Sequence, residues 1–212
     1  EGRIRVWFNE DLESRNFIVP GIIALIIMIV GAMLTSLVIA REYENGTMET
    51  IRSLPITAGE FLIGKSIPYF FIALTDVLMS MLMGQVLFGV VMKSSFWLMI
   101  LASSLYIAVA LALGLLISVV TKSQLVANQA AVLITYLPSL LLSDFVFPVM
   151  NMPKVLQLLT TLVPATYYIN ILSGIYLKNL GLALLWQSFA VLFAMFLILA
   201  LLNCLALKRE GM

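Results

Sequence analysis

Long apolar runs restrict what this chain can fold into more than any other feature of its sequence. Five such runs, each with few charged side chains, cover residues 18–40, 67–91, 96–120, 125–143 and 182–207. A helix of about 20 residues crosses the hydrocarbon core of a bilayer, which is about 30 Å thick. With 62% hydrophobic and 11% charged residues, the chain has too few charges to cover a water-facing surface. We therefore predict an all-α integral membrane protein, a polytopic helical bundle of five spans.

The apolar stretch over residues 145–181 differs from these runs, because proline and glycine divide it into short pieces. Its two candidate helices, residues 154–163 and 166–177, are too short to cross a bilayer and are typical of re-entrant or interfacial helices. Backbone that enters a membrane without crossing it needs protein or a water-filled cavity around it. The pattern predicts a re-entrant helical hairpin that packs against the spans at one mouth of the bundle.

The first residues alternate in polarity, with Ile4, Val6 and Phe8 on one side. A period of two is typical of a half-buried strand, and a single strand needs a partner. We expect residues 1–16 to be the tail of a preceding domain, and residues 17–212 to form the transmembrane domain.

The distribution of Lys and Arg predicts an orientation in the membrane. If the spans alternate in direction, the polar segment 41–66 shares one side with six basic residues: Arg41, Arg52, Lys65, Lys122, Lys208 and Arg209. The other side has Lys93, Lys154 and Lys178, once Arg3, Arg5 and Arg15 are assigned to the preceding domain. Cytoplasmic loops carry the excess of positive charge, so we expect segment 41–66 in the cytoplasm.

Residues 59–66 match the phosphate-binding pattern G-x-x-x-x-G-K-[ST], but their context argues against that function. A phosphate-binding loop follows a strand and precedes a helix, so that its backbone N–H groups surround the phosphates. Here Thr57 and Glu60 form a capping box, which predicts that a helix has already begun. Bulky residues between the glycines would also block the concave group of backbone N–H donors that a phosphate needs. We predict a helix that binds no nucleotide.

The most informative segment lies between the first two spans. Its residues 45 and 46, Asn-Gly, indicate the end of a helix and a turn, and Thr47 is a candidate cap for a short helix that follows. The apolar residues Met48, Ile51 and Leu54 recur every three positions before a proline. This predicts a short amphipathic helix parallel to the membrane, with its polar face free for a partner. An ordinary surface turn fits the same pattern equally well.

Three segments together resemble one protein family. Residues 41–69 read REYENGTMETIRSLPITAGEFLIGKSIPY and are similar to the coupling-helix region of type-2 ABC exporter permeases, with a Gly-Thr-x-Glu core. Residues 16–24, NFIVPGIIA, and 163–181, VPATYYINILSGIYLKNLG, also resemble that family, in its multidrug or small-molecule export branch. The resemblance covers nearly the whole chain in order.

The resemblance implies a cytoplasmic coupling helix in loop 41–66, which docks on a separate ATP-binding cassette subunit. It also implies that the hairpin 145–181 is extracellular and that residues 1–16 end an extracellular domain preceded by another span. The ATPase-coupling residues implied by the family are Arg41, Glu42, Glu44, Gly46, Thr47, Glu49, Arg52 and Pro55.

By the same resemblance, the chain is a permease subunit of the bacterial inner membrane that exports a hydrophobic or amphiphilic substrate. ATP and Mg²⁺ would be held by the partner subunit, so this chain is not an enzyme by itself and binds no cofactor directly. A pathway needs a second permease half, as a homodimer or heterodimer. A periplasmic adaptor and membrane lipid are further candidate partners, and no basic cluster indicates nucleic acid.

Two acidic residues lie in or beside the spans. Asp76 falls inside the second span, where a carboxylate costs about 2.5–3.5 kcal/mol and should face the bundle or water. It is a candidate for contacting substrate in a pathway, or alternatively a packing residue hydrogen-bonded to Ser80 or a neighbouring helix. Asp144, at the outer end of the fourth span, is a second pathway candidate.

Small residues at helical spacing indicate close helix packing in the membrane. On the third span Ala102, Ala110, Gly114 and Ser118 form such a row, with Tyr106 at the same spacing on the same helix face.

Other function classes fit the sequence less well. An enzyme acting on lipid needs a catalytic constellation, yet histidine is absent and the acids are far apart in sequence. A secondary transporter is expected to show an internal repeat and broken helices at mid-membrane. A membrane scaffold without transport would need no coupling segment. The last two remain the alternatives to the exporter permease.

Overall fold

The computed structural model describes residues 15–88, 96–143, 152–176 and 182–211, which form eight helices. These are α1 (Arg15–Glu44), α2 (Thr47–Arg52), α3 (Ala58–Phe88), α4 (Phe96–Thr121), α5 (Gln124–Leu141), α6 (Lys154–Thr160), α7 (Pro164–Tyr176) and α8 (Leu182–Arg209). Within those ranges the chain contains no strand, in agreement with the all-α prediction.

Five of the helices are long and apolar enough to cross a membrane, namely α1, α3, α4, α5 and α8. This confirms the predicted number of spans. The strand expected over residues 3–9 lies outside the described residues. Arg15 and Asn16, expected in the tail of a preceding domain, lie in the first turn of α1.

Helix α3 begins at Ala58, well before the predicted second span at residue 67. The Glu60 carboxylate accepts a hydrogen bond from the Thr57 N–H at 2.7 Å, and the Thr57 hydroxyl accepts one from the Glu60 N–H at 3.3 Å. This reciprocal pair confirms the capping box. Because α3 then includes all of residues 59–66, the segment that matches the phosphate-binding pattern is helical and forms no loop of backbone donors.

Helices α6 and α7 are joined at an angle of 78°, and each is shorter than a span. Helix α7 is fixed in the core, where the Tyr168 ring stacks on that of Tyr106 with centroids 4.1 Å apart. The Tyr168 hydroxyl also shares a hydrogen bond with Ser103 at 2.8 Å. A sharp bend between two short helices fits the hairpin expected there, whereas its position at the extracellular face stays a prediction.

The most extensive helix pair is α1 with α4, which run in parallel. The row predicted on α4 is buried, and it faces α1 from Tyr106 to Ser118. A Cβ on Gly114 would collide with the Thr35 hydroxyl and the Ala32 carbonyl group, whose carbon atom would be 2.9 Å away. The two backbones can approach this closely only because residue 114 has no side chain.

Hydrogen bonds across the same contact join the two helices. The Thr35 hydroxyl donates to the Leu111 carbonyl at 3.0 Å. Further along, the Ser118 hydroxyl accepts from the N–H groups of Ile39 at 3.0 Å and Ala40 at 2.8 Å. These bonds set the register of α1 against α4 up to the end where α1 stops.

Replacing Gly114 with Ala should destabilise the protein by about 1–3 kcal/mol, because the added methyl group forces the two helices apart. Thermal unfolding in detergent, followed by tryptophan fluorescence, measures the change. Gly64→Ala is the matched control, since a Cβ at this helical glycine meets no atom within 4 Å. That variant should be unchanged or more stable by up to about 1 kcal/mol. Equal melting temperatures for Gly114→Ala and the wild type would contradict the close contact.

Candidate coupling surface

One end of the bundle contains all the residues predicted to couple to an ATPase. Helices α1, α4 and α8 finish there, α3 and α5 begin there, and α2 connects α1 with α3. We call this the coupling end. Its geometry follows from a tight turn, a buried anchor and three sets of polar contacts.

The turn between α1 and α2 depends on Gly46, which adopts a φ of 72°. Residues with a side chain rarely take this left-handed conformation, so glycine is required here. Gly46 is also the N-cap of α2, and the prediction that Thr47 caps this helix is therefore wrong. Thr47 is the first helical residue, and its hydroxyl points back to α1, where it donates to the carbonyl and the carboxylate of Glu42.

Helix α2 is held to the bundle by Met48, whose side chain is only 2% exposed. It packs in a cluster with residues from α1, α3, α4 and α8, among them Val38, Phe61, Leu115 and Leu207. Ile51 packs against the same cluster. These contacts fix the inner face of α2, as its apolar pattern predicts.

The apolar pattern predicts Leu54 on that inner face, but the residue is 50% exposed. The helix stops at Arg52, and the residue before a proline is disfavoured in helical conformation. Leu54 therefore lies in the turn before Pro55 and points outward, beside the exposed polar residues of α2.

The predicted coupling residues divide into exposed and partly buried ones. The exposed members are Arg41, Glu44, Gly46, Thr47, Glu49 and Pro55. Glu42 and Arg52 are partly buried, and each forms an ion pair with another element of this chain. Glu42 pairs with Lys65 at 2.5 Å and so joins the end of α1 to α3.

Glu44 is exposed but already has partners in this chain. Its carboxylate accepts hydrogen bonds from the backbone N–H of Gln124 at 2.8 Å and from the Gln124 side chain at 2.6 Å. Gln124 is the first residue of α5, so Glu44 caps α5 from the end of α1. A carboxylate at this position also interacts favourably with the helix dipole. The Arg41 guanidinium contacts the same glutamine at 3.4 Å.

Arg52, predicted to be free for a partner, binds Glu210 just beyond α8 at 3.3 Å. Lys122, between α4 and α5, binds the same carboxylate at 2.7 Å. Both cations also lie near the ring of Tyr43, at 5.7 and 5.2 Å from its centroid. The hydrogen bond from Lys122, with the nearby charges of Lys122 and Arg52, holds the pKa of Glu210 below its usual range.

Tyr43, Lys122 and Glu210 were not identified from the sequence as parts of the site. The sequence contains a signal for Lys122 and Glu210, because these opposite charges follow two spans that finish on the same side of the membrane. The orientation of the spans follows from basic residues alone, whereas this contact becomes apparent only when basic and acidic residues at the span ends are paired.

Of the two pathway candidates, Asp144 lies outside the described residues. Asp76 is exposed in a groove of about 350 Å³ between α1 and α3. Ser80, its candidate packing partner, lines the same groove. Among the described residues, no side chain forms a hydrogen bond or ion pair with the Asp76 carboxylate.

Residues 3–205 match the family described as ABC-2 family transporter protein, and the chain belongs to this family. It is 41% identical over 175 residues to "Probable multidrug ABC transporter permease YbhS" of Escherichia coli (strain K12), covering 82% of this chain and 46% of that protein. "Probable multidrug ABC transporter permease YbhR" of the same strain is 34% identical over 187 residues, covering 87% and 50%.

A more distant relative is "ABC transporter G family member 20" of Dictyostelium discoideum, 24% identical over 97% of this chain and 28% of its own length. The chain spans about half the length of the two Escherichia coli relatives. The resemblance to ABC exporter permeases is thereby confirmed. With five apolar helices, the chain is a multi-pass protein of the bacterial inner membrane.

Replacing Glu44 with Ala should loosen the start of α5, because the backbone N–H of Gln124, the first residue of that helix, loses its acceptor. We expect amide hydrogen exchange at the first turn of α5 to rise severalfold, as measured by mass spectrometry.

Glu49→Ala is the control for this exchange experiment, since Glu49 is an exposed acid of the same coupling end on α2. It should leave exchange in α5 unchanged. Unaltered exchange at the start of α5 in Glu44→Ala would show that the cap does not form in the membrane.

Proposed function

We propose that this chain is the transmembrane permease subunit of an ATP-binding-cassette exporter. ATP hydrolysis on a partner subunit would drive export of a hydrophobic or amphiphilic substrate. The observation that supports this proposal most directly is the α2 segment, which is anchored by Met48 on one face and exposed on the other. Family membership and the names of the relatives support the same function.

The exposed side of the α2 segment has the composition of a docking surface. Leu54 is a large apolar side chain at 50% exposure, and it follows the polar residues Glu49, Thr50 and Ser53. Protein interfaces typically combine an apolar anchor with a polar rim. We assign contact with the ATPase to these residues and to the Gly46 turn.

Three of the predicted coupling residues take a different role in this proposal, because their side chains bind within the chain. Glu42 connects α1 to α3 through Lys65, and Glu44 connects α1 to α5 through Gln124. Arg52 connects α2 to the end of α8 through Glu210, which also holds Lys122. If a partner displaced α2, these contacts would therefore transmit the movement to every span that begins or ends at the coupling end. We assign these residues to transmission and not to docking.

ATP and Mg²⁺ belong to the partner subunit in this proposal. Residues 59–66, which match the phosphate-binding pattern, are helical throughout. The coupling end would face the cytoplasm, where such a subunit resides. A second permease half, identical or related, would complete the pathway, with a periplasmic adaptor and membrane lipid as further partners.

The full-length protein, purified from its own host in mild detergent, should carry an ATP-hydrolysing subunit. Glu49→Ala and Leu54→Asp should each weaken recovery of that subunit about tenfold, the scale of an interface hot spot. The loss of the subunit is measured as the ATPase activity that remains per amount of purified permease. Monodisperse elution shows that each variant is folded.

Glu60→Gln is the matched control at the same end, because glutamine preserves the capping box. It should recover the ATPase as the wild type does. A folded full-length protein that recovers no ATPase would contradict the proposal and favour a secondary transporter or a scaffold.

A further inference from the structure

The groove between α1 and α3 has mostly apolar walls, with one carboxylate, that of Asp76, and one hydroxyl, that of Ser80. Its walls include Ile26, Ile27 and Val30 of α1 and Met79 and Met83 of α3, with Asp76 among them. No lysine or arginine lines it within the described parts of the chain. Its volume of about 350 Å³ is in the range of small-molecule sites.

The groove lies near the middle of the bilayer. Asp76 follows Ile67, the start of the apolar part of α3, by nine residues, or about 14 Å at about 1.5 Å per residue. On α1, Val30 precedes Ala40, the last apolar residue before Arg41, by ten residues, or about 15 Å. Both helices thus place the carboxylate about halfway through a hydrocarbon core of about 30 Å.

A carboxylate at this depth requires compensation for its charge. Charged groups inside a membrane face cavities or pair with opposite charges, and here the described walls provide no such partner. A neutral apolar molecule would leave the charge uncompensated, and an anion would be repelled. A cation that carries apolar groups satisfies both the carboxylate and the walls.

We propose that this groove binds a lipophilic organic cation, with Asp76 as its counter-ion and with Ile27, Val30 and Met79 against its apolar groups. The site would be open to cations that partition into the membrane, because Asp76, Ile26 and Met79 are exposed. The proposal that the groove binds a cation does not depend on the proposed exporter function. As the assignment of the exported cargo, it rests on the proposed exporter function.

Tetraphenylphosphonium tests the site against tetraphenylborate, which has the same shape and the opposite charge. Binding of each is measured by equilibrium dialysis on the full-length protein in lipid nanodiscs without nucleotide, with empty nanodiscs as the baseline. The wild type should bind the phosphonium saturably and the borate only at the baseline level. Asp76→Asn should weaken phosphonium binding about tenfold or more, since the opposite charge is lost.

Two further variants separate the charge from the space. Thr75→Ala removes an exposed hydroxyl of α3 next to Asp76 but outside the groove lining, and it should bind the phosphonium as the wild type does. Met79→Trp keeps Asp76 but fills the groove, and it should abolish binding. Melting temperatures close to that of the wild type establish that the variants are folded.

Equal phosphonium affinity in Asp76→Asn and the wild type would overturn the proposal, as would saturable binding of the borate. If the phosphonium does not bind and Met79→Trp converts dimers to monomers by mass photometry, the groove is a contact between copies and the proposal is wrong. Because no nucleotide or ATPase enters the assay, failure here leaves the exporter function standing. Failure to recover an ATPase likewise leaves a positive binding result intact.

Discussion

The close contact between α1 and α4 is the interaction on which the rest of the structure depends. In a bilayer the surrounding lipid is as apolar as a helix surface, so helices associate through close packing and hydrogen bonds. Gly114 allows that packing, and the hydroxyls of Thr35 and Ser118 add hydrogen bonds across it. Helices α3, α5, α7 and α8 then pack around this pair. Every polar contact at the coupling end presupposes its register.

That register explains why exposed and partly exposed charges organise the coupling end although they add little stability. Since α1 and α4 run in parallel and are fixed side by side, Glu44 reaches the start of α5, and Tyr43 reaches Lys122. Exposed ion pairs are screened by water and contribute weakly to folding. Their effect here is geometric: they fix the direction in which α2 presents its outer face, while Met48 holds its inner face in the core.

Features that depend on local signals could be predicted from the sequence. The five spans follow from apolar length, the turn from Asn45 and Gly46, and the start of α3 from the capping box of Thr57 and Glu60. Hydropathy alone placed the second span at residue 67, because it detects the membrane and not the helix that extends beyond it. The partners of Glu44 and Arg52 could not be predicted, since they depend on which helix ends meet. Thr47 failed as a cap because Gly46 already occupies that position.

The same two helices carry both proposed sites. Helix α1 ends at the α2 segment and provides one wall of the Asp76 groove, while α3 begins after that segment and provides the other. Glu42 and Lys65 hold these helices together near α2, so displacement of α2 would act on their separation. Suppose that the groove binds a cation, that α2 binds an ATPase subunit, and that the width of the groove changes with the state of that subunit. Cation binding and the state of the ATPase are then linked equilibria. Because linkage is reciprocal, a bound cation would then favour the state of the ATPase in which the groove binds the cation more tightly.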